Sequence, residues 1–180
     1  MSNEQIGMIL SLIAMVFNII SFQARKRIFY LLIQSIASAI FLISYLFSGG
    51  GVAVYLNVIF LIRNIVYMFV DNISPAVQKK ICFLLCGAYL VTYLLFFRFG
   101  GLPLSENLWG ILTIIGAFFG TFAIINENPV KLRIVKMGDS ISWLAFNVHI
   151  GLGALGGILG EIFNIFSSLI AIYRFRKTKI

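Results

Sequence analysis

The chain has 180 residues, 61% of them hydrophobic and 11% charged, with 18 Phe against a single His. Soluble domains run at about 45–50% apolar and about 25% charged, so a water-soluble globule is excluded, and seven apolar helices of roughly 20 residues each leave no length for a soluble catalytic or nucleic-acid domain. The net charge of +8 then reports membrane orientation, not nucleic-acid affinity, provided the basic residues fall on one side.

The opening residues, MSNEQ, lack the positive n-region of a signal peptide, and no A-x-A site follows the first apolar run, which is therefore expected to persist as a first helix. Apolar runs cover 6–22, 28–47, 52–70, 80–97, 106–125, 138–155 and 157–173. Backbone groups cannot stay unpaired in hydrocarbon, so each run is expected to be helical. The first carries Ser11, Asn18 and Ser21, and the second Gln34, Ser38 and Tyr45. The third has Asn57 and Asn64, flanked by Arg63 and Tyr67. Residues 81–97 of the fourth contain no Asn, Gln, His or charge, and Cys82 and Cys86, four apart, read as packing residues on one face. In the fifth, Gly116 and Gly120 have the spacing of close helix packing, and Trp109 beside Glu106 reads as an interfacial belt residue. The sixth presents Ser142, Trp143, Asn147 and His149, and the seventh Glu161, Asn164, Ser167 and Ser168. Each set is expected on one face of its helix.

The breaks between runs alternate. Arg25-Lys26-Arg27 follows the first, Lys79-Lys80 the third, Lys131, Arg133 and Lys136 the fifth, and Arg174, Arg176, Lys177 and Lys179 the seventh. SGGG at 48–51, the turn Gly100-Gly101-Leu102-Pro103 and GLGALGG at 151–157 carry almost no positive charge. Twelve of the 14 Lys and Arg lie on one side, with Arg98 on the other and Arg63 inside the third run. By the positive-inside rule this gives seven spans, the N-terminus outside and the C-terminus cytoplasmic. A repeat is also legible. GGGVAVYLN and GGILGEIFN place Asn57 and Asn164 at the same distance from paired glycines, and the second and sixth runs share Ser-Ile with a Phe beyond it (Ser35, Ile36, Phe41; Ser140, Ile141, Phe146). The fold class expected is an all-α membrane protein of seven transmembrane helices in a 3+1+3 parallel-repeat arrangement. A first bundle covers 1–72, an inverter helix with its flanking loops 73–103, and a second bundle with a basic tail 104–180.

Several short motifs are collinear with a known family: His149 before Gly156-Gly157, Glu161 after it, Arg174-Phe175 ending the last run, and Leu56-Asn57 in the third. On these residues the chain resembles the YgjV family of small bacterial inner-membrane proteins, and in layout the SWEET/PQ-loop superfamily of transporters. The resemblance implies a multi-pass protein of the bacterial inner membrane. The chain departs from the superfamily in its prolines, since Pro75, Pro103 and Pro129 all fall in expected loops. That argues against a Pro-hinged mechanism and leaves flexibility to glycines.

An ionisable side chain deep in a bilayer costs about 2.5–3.5 kcal/mol on insertion scales and is a functional candidate by default. Arg63, His149 and Glu161 meet that description. His149 and Glu161 flank the same outer turn and are expected to form an outer gate or proton-coupling pair. Arg63 is expected below mid-depth, where contact with Glu161 requires both side chains to stretch. Asn57, Asn164, Trp143, Asn147 and Asn18 are expected to bind substrate, since amides beside an aromatic ring suit a neutral polar molecule. The same Asn and Ser residues also serve as interhelical glue in many membrane bundles.

Enzyme motifs are missing: there is no G-x-S-x-G, H-E-x-x-H or phosphate loop, and one His cannot build a multi-His metal site. None of the seven Lys is expected inside a helix, which excludes a retinal-type Schiff base. The expectation is therefore a small-molecule transporter or facilitator without catalytic residues, cofactor or metal. Its partners would be the bilayer and a small polar molecule, not nucleic acid, with a homo-oligomer left open. The alternative is a membrane receptor or interaction protein that binds a ligand without translocating it.

Overall fold

A computed structural model describes residues 1–21, 27–70, 73–100, 104–125 and 129–177. Among these, the regular elements are the helices α1 (Asn3–Ser21), α2 (Arg27–Ser48), α3 (Val52–Val70), α4 (Pro75–Phe99), α5 (Leu104–Ile124), α6 (Pro129–Ile150) and α7 (Leu155–Lys177), with a single 3-10 turn at Leu152–Ala154. Arg25, Lys26, Gly101, Leu102, Pro103 and Lys179 lie outside the described residues, as do the side chains of Arg27, Glu106, Arg174, Arg176 and Lys177.

Among the described residues, five segments are long and apolar enough to cross a membrane: α1, Ile28–Ser48, α3, α4 and Leu152–Ile170. α5 adds a shorter apolar stretch, Leu108–Ile124. α6 departs from the expected run 138–155. It starts at Pro129, takes Lys131, Arg133 and Lys136 into the helix, and stops at Ile150. Its stop is set by Gly151, whose φ of 85° is a left-handed conformation that side chains with a Cβ resist. α7 correspondingly runs 155–177 instead of 157–173. Lys131 and Lys136 therefore lie inside α6, as Lys79 and Lys80 lie inside α4 and Lys177 ends α7, contrary to the expectation that no Lys would fall in a helix. The prolines are corrected in the same way: Pro75 and Pro129 open α4 and α6, where the missing N–H has no partner to lose and no kink results.

Contacts run in a closed circuit, α1 to α2, α2 to α3, α3 to α5, α5 to α6, α6 to α7 and α7 back to α1, while α4 packs against α3 and α5. α4 turns Cys82, Leu85, Cys86 and Tyr89 inward, a spacing that fits one helical face, and leaves Phe83 and Leu84 exposed. One apolar cluster lies where these three helices meet and includes Leu56, Tyr67, Leu85, Tyr89, Ile114 and Ala117. A second, of Tyr45, Ala53, Trp143, Phe146 and Ala154, sits toward the end of the bundle that carries the Gly-rich turns.

Candidate functional site: a polar cavity inside the helix ring

The ring holds a partly open cavity of about 80 Å³, room for about five waters at roughly 15 Å³ each. α2 supplies Gln34, Ala37, Ser38, Phe41 and Tyr45 to its wall, and α3 supplies Asn57, Phe60 and Arg63. α6 contributes Lys136, Asp139, Trp143 and Asn147, α7 contributes Gly157, Glu161 and Asn164, and α1 contributes Asn18. On α6 the lining residues follow steps of three and four, so one face of the helix supplies all four. From Gln34 to Tyr45 is eleven residues, about 16 Å of helix, roughly half the hydrocarbon thickness.

All five residues expected to bind substrate line this cavity: Asn57, Asn164, Trp143, Asn147 and Asn18. Glu161 and Arg63 line it too. His149 does not. Its ring stacks on Trp109 of α5, with centroids 4.5 Å apart and planes 11° apart. The helical period explains the correction, because two residues past Asn147 is about 200° around α6. The stack also gives Trp109 a partner beyond its expected interfacial role.

Toward the Gly-rich turns the two halves of the chain meet in a seam of direct contacts. The Tyr45 hydroxyl donates to Asn147 Oδ1 at 2.6 Å, and its ring lies 6.2 Å from Trp143 and 6.3 Å from Phe146. Ser48 Oγ donates to the Gly153 carbonyl at 3.0 Å, and the Gly156 N–H donates to Ser11 Oγ at 2.9 Å. A methyl on Gly156 would strike the Ser11 backbone, so α7 meets α1 only because this residue lacks a side chain. Gly116 and Gly120 confirm the expected close packing and do more. A Cβ at Gly116 would lie 2.7 Å from Trp143, and one at Gly120 would lie 3.0 Å from the Asp139 carboxylate. These glycines make the room in α5 that seats two wall residues of α6.

At the opposite end Gln34 Nε2 donates to Asn18 Oδ1 at 2.5 Å and to Ser21 Oγ at 2.7 Å, tying α1 to α2. Lys136 Nζ forms an ion pair with Asp139 one turn ahead on α6. Neither was singled out from sequence as a site residue. A signal existed, because the shared Ser-Ile register puts Gln34 and Asp139 in equivalent places, each preceding its serine.

Arg63 is buried and held by neutral groups. Its Nε and Nη2 donate to Asn64 Oδ1 at 3.3 and 3.1 Å, Nη1 reaches Thr121 Oγ1 at 3.5 Å, and the guanidinium stands 4.8 Å from the Phe60 ring centre. Glu161 Oε2 accepts from Asn164 Nδ2 at 3.1 Å. Among the described residues Arg63 and Glu161 form no ion pair, in keeping with the stretch that such a contact would require. Nor, among them, is any group of three or more His, Cys, Asp or Glu placed to hold a metal ion.

Residues 5–179 match the Imp-YgjV family, described as bacterial inner membrane protein. The chain belongs to that family. No curated protein and no solved structure matches it. As an Imp-YgjV protein it resides in the bacterial inner membrane, and its several apolar helices are of the kind that span it. In that setting four ionisable groups around one cavity are costly to bury. The family context thus turns the cavity from ordinary packing polarity into the molecule's principal chemical feature.

Proposed function

We propose that the protein is a small-molecule transporter or facilitator whose pathway runs between two three-helix bundles, α1–α3 and α5–α7. The reading includes α4 as an inverter outside the ring, parallel bundles, the N-terminus outside and the C-terminus in the cytoplasm. The observation that carries it is the cavity: a polar, partly charged space at the centre of a helix ring in an inner-membrane protein. Supporting it, exchange of α1, α2 and α3 for α5, α6 and α7 maps the circuit of contacts onto itself. The repeat-related Asn57 and Asn164, and likewise Gln34 and Asp139, line the same space. Transporter sites lie at such repeat interfaces.

In this reading Asn57, Asn164, Asn147, Asn18 and Trp143 contact the solute, and Arg63 and Glu161 are the charged positions of the pathway. The outer gate is the seam of Tyr45 with Asn147, not a Glu161–His149 pair. The test is counterflow in proteoliposomes over a panel of sugars, amino acids, nucleosides and vitamins. A solute must exchange through wild-type protein, and Asn57→Leu/Asn164→Leu must lower that flux at least about tenfold, the equivalent of 1.4 kcal/mol. Flux at the wild-type level in the double variant refutes the site.

A seam at one end of the cavity is what a receptor would also need. A ligand that binds without exchange, with access from one side under all conditions, would replace transport by that reading.

A further inference from the structure

The cavity's charges are not all paired within the protein. Lys136 and Asp139 form an ion pair on α6, and both also act electrostatically on Glu161. That leaves Arg63 on α3 and Glu161 on α7, each facing the cavity from a different half of the chain. Among the described residues neither has an ion-pair partner. Asn64, Thr121 and the Phe60 ring orient the guanidinium, and Asn164 orients the carboxylate, but neutral groups do not cancel charge.

The two walls also differ in hydrogen-bonding capacity. A guanidinium has five N–H donors in a planar fork, and Arg63 uses Nε, Nη1 and Nη2 once each, so two N–H groups remain for a carboxylate. On the other wall Asn164 is 4% exposed and its Oδ1 has no hydrogen-bond partner. An orphan amide oxygen beside a carboxylate is an acceptor pair, which calls for a donor-rich cation such as a primary ammonium.

We infer that the cavity takes a small zwitterion of the amino-acid type, its carboxylate on Arg63 and its ammonium on Glu161 and Asn164 Oδ1. A neutral solute leaves both groups without an ion-pair partner, and a single ion leaves one. A zwitterion pairs both without adding net charge. Arg63 and Glu161 line the same cavity from α3 and α7, so a ligand held in it faces both. The cavity of about 80 Å³ keeps the ligand small, so glycine and alanine are the natural probes. The inference rests on the cavity being the ligand site proposed above.

The full chain, purified in detergent, is tested by thermal shift and equilibrium binding with glycine and L-alanine. Glycinamide carries the positive charge alone, acetate the negative charge alone, and glycerol neither. Glycine and alanine are expected to raise Tm by mass action, while the three controls bind at least about tenfold more weakly. Glu161→Gln and Arg63→Gln are each expected to weaken glycine binding by at least about tenfold. Where Arg63→Gln does not fold, the isosteric Glu161→Gln, judged by its unliganded Tm, carries the test. Glycerol binding as tightly as glycine, no stabilisation by either zwitterion, or unchanged glycine affinity in Glu161→Gln overturns the inference. Labelled-solute counterflow separates the two readings. Exchange of a sugar without glycine binding sinks the zwitterion and leaves transport standing, whereas glycine binding without exchange does the reverse.

Discussion

Tyr45→Phe isolates a single hydrogen bond in the seam proposed as the gate. The Tyr45 hydroxyl and Asn147 Oδ1 are 2.6 Å apart, with Tyr45 4% and Asn147 2% exposed. Phe keeps the ring against Phe41, Trp143 and Phe146, so packing is retained and the loss is confined to the hydroxyl. Interhelical hydrogen bonds in membrane bundles couple by about 0.6 kcal/mol on average and about 1.7 at most. That corresponds to a closed-to-open ratio lowered about 3- to 18-fold. Full opening is not expected, because the Ser48–Gly153 and Ser11–Gly156 bonds remain across the seam. The assay has two parts. Equilibrium unfolding of Tyr45→Phe, Asn147→Ala and the double variant gives a coupling energy, expected between about 0.6 and 1.7 kcal/mol. The labelling rate of an Ala37→Cys probe in the cavity wall, in a Cys82→Ser/Cys86→Ser background, is expected to rise by the same factor from the Gly-rich side. A coupling below about 0.3 kcal/mol, where independent sites simply add, together with an unchanged labelling rate, refutes the seam as the gate.

Lys136→Met leaves the buried Asp139 carboxylate without its cation and is expected to destabilise by about 3–5 kcal/mol. Adding Asp139→Asn should recover most of that, as measured by unfolding of the purified variants. His149→Phe preserves the stack on Trp109 and alters a residue that does not line the cavity. Flux and its pH profile across the imidazole range, about 5.5–7.5, are therefore expected to match wild type, and a flattened profile in that variant would restore a proton-coupling role to His149.

Much of the site was legible in the sequence because polarity inside a membrane is conspicuous. Seven apolar runs leave few polar residues, so Asn18, Asn57, Asn147 and Asn164 stood out, and each lines the cavity. His149 stood out for the same reason and was misplaced, because proximity along the chain was weighed above its angle around α6. Lys136 and Asp139 were missed for the opposite reason. They border a basic stretch, where charge looked like a cytoplasmic loop, and their ion pair within a helix appears only once α6 is extended back to Pro129.

The sequence by itself determined the solvent and the elements: 61% apolar composition demands a bilayer, and hydrocarbon demands helices whose backbone groups are paired internally. Tertiary structure decided which polar groups meet. Close approach at Gly116, Gly120, Gly156 and Gly157 sets how the helices turn toward one another, bringing Arg63 and Glu161 from opposite halves of the chain to one cavity. The physical reason is that hydropathy depends on what a residue is, whereas pairing of charges depends on distance and angle between helices. Those quantities arise only when the ring closes.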